Sequence, residues 1–234
     1  VIALENRNYS SAPLSRPTTE KRPVRSPAAV TFADLNSDGR LGVISGEQTS
    51  SEVAIYRSTT RGSFPSEAQI IALDDSILGA ASAPASLVAA DVTADGHVDL
   101  LTAHPQSDEV VLLDQLAAGT FEPVRYPLPG TSGSSPSAIA AGDVNGDGFG
   151  DFVTANADSA SLTVFLQAAD GSFDETHEIT STDLDGPQAA LLGDFDGNGL
   201  TDVAAAGRFS NTVVVFLQDQ SGAFMQSDEL GTPS

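Results

Sequence analysis

One nine-residue acidic loop occurs four times in this chain of 234 residues. The copies begin at Asp34, Asp91, Asp143 and Asp194, at intervals of 57, 52 and 51 residues. Each copy has oxygen-bearing side chains at positions 1, 3 and 5 and glycine at position 6, and three copies have aspartate at position 9. Self-similarity with a period of about 50 residues indicates a propeller, a solenoid or another repeat array. This repeat constrains the fold more strongly than composition does.

Three further landmarks keep a fixed distance from the first aspartate of every copy. A proline lies seven residues before it, a glycine 28 residues after it and a phenylalanine 30 residues after it. The landmarks are Pro27, Pro84, Pro136 and Pro187; Gly62, Gly119, Gly171 and Gly222; and Phe64, Phe121, Phe173 and Phe224. Chance would not hold all three in register, so the chain contains a genuine internal repeat.

Each repeat contains four short runs of residues that favour β-strands. In copy three these runs are residues 137–141, 151–155, 162–166 and 174–179. They are rich in β-branched and aromatic residues and are bounded by glycine, asparagine and aspartate, as strands commonly are. The first run of each repeat is rich in alanine, which suits the crowded centre where propeller blades converge. Four strands per repeat predict an all-β chain of four-stranded β-propeller blades.

The acidic loops predict calcium sites. Calcium prefers six to eight oxygen ligands, and glycine allows the sharp turn that brings them together. Positions 1, 3, 5 and 9 offer side-chain oxygens, and position 7 offers its backbone carbonyl. The predicted ligands are Asp34, Asn36, Asp38 and Arg40 in copy one; Asp91, Thr93, Asp95, His97 and Asp99 in copy two; Asp143, Asn145, Asp147, Phe149 and Asp151 in copy three; and Asp194, Asp196, Asn198, Leu200 and Asp202 in copy four.

The copies differ in how complete the predicted ligand set is. Copy one has Gly42 at position 9, so it lacks one carboxylate, and the weaker ligand Thr93 occupies position 3 of copy two. Copies three and four are therefore expected to bind calcium most readily. An EF-hand is excluded because position 12 holds no glutamate in any copy.

The motif and the strands that follow it resemble the FG-GAP/VCBS repeat, which builds the propeller of integrin α subunits. Copy three carries the resemblance best, with Asp-Val-Asn-Gly-Asp-Gly-Phe-Gly-Asp followed by Phe-Val-Thr-Ala, Val-Phe-Leu and Asp-Gly-Ser-Phe. It covers four blades, at residues 27–83, 84–135, 136–186 and 187–234, and leaves 1–26 as a partial strand and a linker. The resemblance implies that the blades are part of a larger propeller of about six to eight blades, although a closed ring of four stays open.

Charge narrows the range of partners. The chain has 10 basic and 32 acidic residues, a net charge of −22. Such a surface repels nucleic acid and anionic lipid, and no run of residues is long and apolar enough to insert into a membrane. Because free calcium is reliably abundant only outside cells, we expect an extracellular protein, either secreted or on the cell surface.

Residue patterns typical of catalysis are absent from the sequence. His177 and Glu178 begin like a zinc-protease motif, but Ser181 stands where the second histidine is required, and the chain has no cysteine nucleophile. The sequence therefore predicts a non-enzymatic module.

Strand direction places the acidic loops on one face of the propeller. The loops between the second and third strands lie on the opposite face and vary in length and sequence. Recognition usually resides in such loops, and the integrin resemblance implies ligand binding on the face away from calcium. We expect calcium-stabilised adhesion, or recognition of an extracellular protein or glycan.

Two other functions and one further property stay open at this stage. The chain could be the accessory or catalytic propeller of a secreted polysaccharide-active enzyme, or a structural spacer of a surface protein. Open sheet edges at the two ends of an incomplete ring predict self-association.

Overall fold

The structure, a computed structural model, describes residues 21–22, 26–60, 62–73, 83–117, 119–130, 133–227 and 230–231. Within these ranges all regular secondary structure is β, arranged in four antiparallel sheets that are the blades of a β-propeller. The predicted fold class is therefore confirmed. The described ranges include no helix of the length and apolar character needed to cross a membrane.

Each blade is built from four strands that follow one another in sequence. Blade 1 consists of β2 (Pro27–Ala33), β3 (Gly42–Glu47), β4 (Glu52–Tyr56) and β5 (Ala68–Ala72), and β1 (Lys21–Arg22) pairs with β5. Blade 2 consists of β6 (Ser86–Ala90), β7 (Asp99–His104), β8 (Glu109–Ala117) and β9 (Thr120–Pro127). Blade 3 consists of β10 (Pro136–Gly142), β11 (Asp151–Asn156), β12 (Ser161–Leu166) and β13 (Glu175–Thr180). Blade 4 consists of β14 (Pro187–Gly193), β15 (Asp202–Gly207), β16 (Thr212–Gln218) and β17 (Phe224–Gln226), and β18 (Leu230–Gly231) pairs with the other end of β16.

The strands of blade 3 lie within one residue of the ranges that the sequence predicts. The landmark proline opens the innermost strand in blades 1, 3 and 4, and a β-bulge follows it directly. Because proline cannot donate a hydrogen bond to the ladder, it is tolerated at the start of a strand. The strand predicted at residues 1–4 lies outside the described residues. Within the predicted linker, Lys21–Arg22 forms the short strand β1.

The core lies between the blades. One apolar cluster joins blades 1 and 2, a second joins blades 2 and 3, and a third joins blades 3 and 4. In the second cluster the rings of Phe152 and Phe165 stack with their centroids 4.5 Å apart. The innermost strands pack in the order β2, β6, β10, β14, and the described β14 and β2 have no comparable contact with each other. Each blade thus has one face toward the preceding blade and one toward the following blade.

Candidate calcium-binding loops

The four acidic loops join the first and second strands of their blades and have the same backbone course. Position 6 is glycine in every copy, with a positive φ each time: 78° at Gly39, 86° at Gly96, 90° at Gly148 and 85° at Gly199. Position 4 is left-handed as well, at Ser37 and Ala94 (both 55°), Gly146 (77°) and Gly197 (78°). Only glycine adopts this region without a steric cost, which explains why position 6 does not vary.

The carboxylate at position 1 holds the loop by accepting backbone hydrogen bonds from inside it. In copy four, Asp194 accepts from the amides of Gly197 at 2.7 Å, Asn198 at 3.1 Å and Gly199 at 2.9 Å. The side chain at position 5 accepts the amide of position 7, as Asn198 does from Leu200 at 2.7 Å. These contacts turn the polar side chains toward one another, and they use only the backbone of position 7. The residue type at position 7 is therefore free to vary.

The aspartate at position 9 fastens the loop to its blade. Asp99, Asp151 and Asp202 are fully buried. One oxygen of Asp151 accepts the amides of Val144 and Asn145, at 2.8 and 3.3 Å, and the other accepts the amide of Gln167 at 2.8 Å. Equivalent bonds form at Asp99 and Asp202. The sequence predicts only a ligand at position 9, and the structure adds this second, structural task.

Burial also changes the acidity of two of these groups. Desolvation raises the pKa of the Asp99 and Asp151 carboxyls above the ordinary value, although the backbone amides that bind them act in the opposite direction. A bound cation would favour the ionised form of the same groups. The position 9 aspartates thus link the stability of the loop to its charge.

In copy four, three carboxylates come together. Oxygens of Asp194, Asp196 and Asp202 all lie within 4.8 Å of one another, and no other group of three metal-binding residues in the described part of the chain is as close. Two carboxylates about 5 Å apart repel by roughly 3 kcal/mol at an effective dielectric of 20, and a divalent cation between them reverses that term. An all-oxygen donor set of this kind fits calcium. Asp194, Asp196, Asn198 and Asp202 would hold the ion with their side chains.

Copy three has the same residue types, but its carboxylates Asp143, Asp147 and Asp151 do not gather to the same extent. The two copies differ at positions 3 and 5, where copy three has Asn145 and Asp147 and copy four has aspartate first. The asparagine amide donates to the neighbouring aspartate in both copies, at 2.9 Å in copy three and 3.1 Å in copy four. Whether copies two and three bind calcium stays a prediction.

Copy one contains a cation of its own. The Arg40 guanidinium lies 2.7 Å from the Asp38 carboxylate, and the pKa of Asp38 is lowered, first by the Asn36 amide and then by Arg40. At position 9, a Cβ on Gly42 would lie 3.1 Å from the carbonyl oxygen of Tyr56, so the backbone leaves little room for a side chain. Metal binding at Asp34, Asn36, Asp38 and Arg40 stays a prediction.

Two glutamines link the acidic loops across blades. Gln115 of blade 2 donates to the Leu35 carbonyl in the loop of blade 1, at 2.9 Å, and Gln167 of blade 3 donates to the Val92 carbonyl in the loop of blade 2, at 2.6 Å. Both glutamines lie 24 residues after the first aspartate of their copy. The repeat register carries this signal, but sequence reasoning missed it.

The opposite face is more regular than the sequence predicts. The loops between the second and third strands have one length in blades 2, 3 and 4, and each has a left-handed residue at the same place, namely Asp108, Ala160 and Asn211. The expected variation in length is therefore wrong for these three blades, and only their side chains differ. Phe209 is 64% exposed in the loop of blade 4, and the Arg208 guanidinium lies 5.4 Å from the centre of its ring.

Comparison with known proteins identifies the class of repeat. The family model of the FG-GAP-like repeat matches residues 34–102, 91–154 and 143–205. These matches cover more than half of the chain, and each runs from one acidic loop to the second strand of the next blade. The chain belongs to the FG-GAP-like repeat family, as its sequence predicts. The comparison with curated proteins gave no match.

Solved structures share the fold at low identity. A candidate 6-phosphogluconolactonase from Bacteroides fragilis is 16% identical with a TM-score of 0.62, over 89% of this chain and 58% of that one. The periplasmic gluconolactonase of Pseudomonas aeruginosa is 20% identical with a TM-score of 0.59, over 89% and 58%. A lectin from Agrocybe aegerita that recognises non-reducing terminal N-acetylglucosamine is 21% identical with a TM-score of 0.57, over 86% and 51%. The chain therefore spans little more than half the length of these structures.

These neighbours correct one expectation. The sequence predicts a non-enzymatic chain because it lacks familiar catalytic patterns, and that prediction is wrong. The fold it shares with a gluconolactonase and a candidate 6-phosphogluconolactonase is a fold that supports enzymes. A propeller can assemble catalytic groups from separate blades, so the absence of a short linear motif is a poor guide in this fold.

Proposed function

We propose that this chain is a calcium-stabilised recognition module that acts outside the cytoplasm and binds a protein or glycan ligand on the face opposite the acidic loops. The carrying observation is the contrast between the two faces. The acidic loops repeat one backbone geometry, left-handed at positions 4 and 6 of every copy. The opposite loops of blades 2 to 4 place different side chains on one turn, which suits recognition of an irregular partner.

One exposed aromatic residue marks the centre of this proposal. Phe209 is 64% exposed, carries Arg208 against its ring and lies on the opposite face. An aromatic ring beside a cation offers an apolar surface and a hydrogen-bond donor together, as protein and sugar ligands both require. The likeness to a propeller-type lectin supports the glycan option, and the likeness to a periplasmic protein supports a location outside the cytoplasm.

The test is a binding screen on glycan and matrix-protein arrays, in calcium and in chelator. We expect Phe209→Ala to abolish the signal of any array hit with little change in melting temperature, because most of this side chain is exposed. Leu116→Ala is the matched control, since Leu116 is 52% exposed and lies at the end of β8 near the acidic loops. If both variants bind alike, the opposite face is not the recognition surface.

A second function is favoured by the neighbours alone. Hydrolysis of a sugar lactone would agree with the likeness to the gluconolactonase and the candidate 6-phosphogluconolactonase. The rate of acid release from gluconolactone and 6-phosphogluconolactone, measured against spontaneous hydrolysis, tests it. A rate equal to that of the uncatalysed control rules this activity out for the chain as it stands.

A further inference from the structure

Exposed apolar side chains are concentrated on two surfaces of the propeller. The described residues include nine large hydrophobic side chains that are exposed, and seven of them belong to the outer faces of the first and last blades. We define the blade 1 face by Val30, Phe32, Leu41 and Phe64, and the blade 4 face by Leu191, Phe195 and Met225. Such clustering differs from the single exposed apolar residues that are normal on any protein surface.

The blade 4 face has the composition of a surface that another blade covers. Its sheet contributes Ala204, Ala206, Val213 and Val215, all partly exposed. The corresponding residues in the other blades are at most 2% exposed because the following blade covers them: Ile44, Val53 and Ile55 in blade 1; Leu101, Ala103, Val110 and Leu112 in blade 2; Val153, Ala155, Leu162 and Val164 in blade 3.

Position 2 of the acidic loop shows the same contrast. Leu35, Val92 and Val144 are 3%, 1% and 1% exposed, each in the cluster shared with the following blade. Phe195 occupies this position in copy four and is 49% exposed. The apolar residue is retained, although the described chain provides no blade to cover it.

The blade 1 face is the complementary half of the same contact. Val30 is 69% exposed, whereas its counterparts Leu87, Ile139 and Ala190 are 6%, 5% and 7% exposed, each packed on the preceding blade. Phe64 is 47% exposed, and its counterpart Phe121 is 6% exposed against blade 1. The blade 1 face thus presents the residues that would fill the blade 4 face.

We infer that a second copy of this chain docks head to tail, with the blade 4 face of one copy on the blade 1 face of the other. The contact repeats the blade-to-blade packing that the chain already makes between its own neighbouring blades. A head-to-tail contact closes into a ring when its rotation allows, and two copies with both contacts made would form a ring of about eight blades. That number is within the range of about four to eight blades that propellers adopt.

Charge sets the condition under which the copies meet. Each copy carries a net charge of −22, so two copies repel at low ionic strength. Salt shortens the range of that repulsion and leaves apolar packing intact. Association should therefore strengthen from low to physiological salt, which is the reverse of a contact held by ion pairs.

Sedimentation velocity on the purified chain in calcium, at physiological salt, tests the inference. The wild type should sediment as a dimer. Phe32→Asp on the blade 1 face and Leu191→Asp on the blade 4 face should each give monomers, and an equimolar mixture of the two should recover a dimer through the one undamaged contact. Leu116→Asp is the control, because Leu116 is exposed but lies on neither face. Unchanged melting temperatures would show that the exposed substitutions leave the fold intact.

Three outcomes would overturn the inference. A monomeric wild type at all concentrations and salt levels shows that a second copy is not the occupant. A dimer that survives Phe32→Asp but not Leu191→Asp shows that two blade 4 faces pair symmetrically. Open chains longer than a dimer show that the contact does not close a ring.

Discussion

The two kinds of carboxylate in copy four should respond differently to calcium removal. Asp196 is exposed and approaches Asp194 and Asp202, whereas Asp202 is fully buried and accepts the amides of Phe195 and Gln218, each at 2.8 Å. We therefore expect Asp196→Asn to lower stability only in calcium. Asp202→Ala should lower stability both in calcium and in chelator.

The magnitudes follow from these contacts. Calcium at 100 times its Kd adds about 2.7 kcal/mol per site, so Asp196→Asn can remove up to that amount in calcium and nothing in chelator. Asp202→Ala leaves two backbone donors without an acceptor, at about 1–3 kcal/mol for each buried donor. Because Phe195 is only half-buried, we expect a loss of about 2–4 kcal/mol in chelator.

Urea denaturation of the wild type and both variants, in calcium and in a chelator, measures all of these differences. Ion counting by native mass spectrometry checks that Asp196→Asn loses one bound ion. Equal destabilisation by Asp196→Asn in the two buffers would refute its role as a ligand. If chelator abolished the effect of Asp202→Ala, the hydrogen bonds to its carboxylate would contribute nothing of their own.

Three shorter predictions follow from the same geometry. Ala94→Gly should stabilise the fold by about 0.5–1 kcal/mol in a thermal melt, since Ala94 has a φ of 55° and glycine relieves it; no gain would mean that the left-handed turn is not strained. Gln167→Leu should destabilise by about 1–3 kcal/mol in urea, because the buried Val92 carbonyl loses its donor; a neutral result would remove the glutamine from the blade contact. In chelator, the raised pKa of Asp99 and Asp151 means that the folded chain holds their protons more tightly. Their contribution is full below the unfolded value near 3.8 and is lost as pH rises through the folded pKa, so the wild type should lose stability relative to the double Asp→Asn variant over that range; an opposite slope would show that the backbone amides outweigh burial.

Sequence periodicity is sufficient for the fold because each level of the repeat agrees with the others. The landmark proline, the acidic loop and the alternating strands all recur at one spacing, so the blade boundaries follow from the sequence alone. In copy three, strands β10 to β13 lie within one residue of the predicted ranges. Turn chemistry contributes as well, since glycine at position 6 marks a backbone that other residues adopt only under strain.

The candidate site is only partly predictable, because residue type does not determine where a side chain points. Asp151 and Asp202 stand at the same position of copies three and four, yet three carboxylates converge only in copy four among the described residues. The buried bonds of position 9 escape sequence reasoning because they join residues far apart in sequence, such as Asp151 and Gln167. The lack of a catalytic motif also proved a poor basis for excluding catalysis, since enzymes share this architecture.

The hydrogen bonds around the acidic loops explain how an ion in one loop can stabilise more than its own turn. Gln167 donates its side chain to the Val92 carbonyl in the preceding loop, while its backbone amide is held by Asp151. The other oxygen of Asp151 holds Val144 in its own loop. The same relay joins Leu35 to blade 2 through Gln115 and Asp99. An ion that orders one loop therefore fixes the acceptor for the next blade, so calcium would act on the stacking of the blades as well as on single turns.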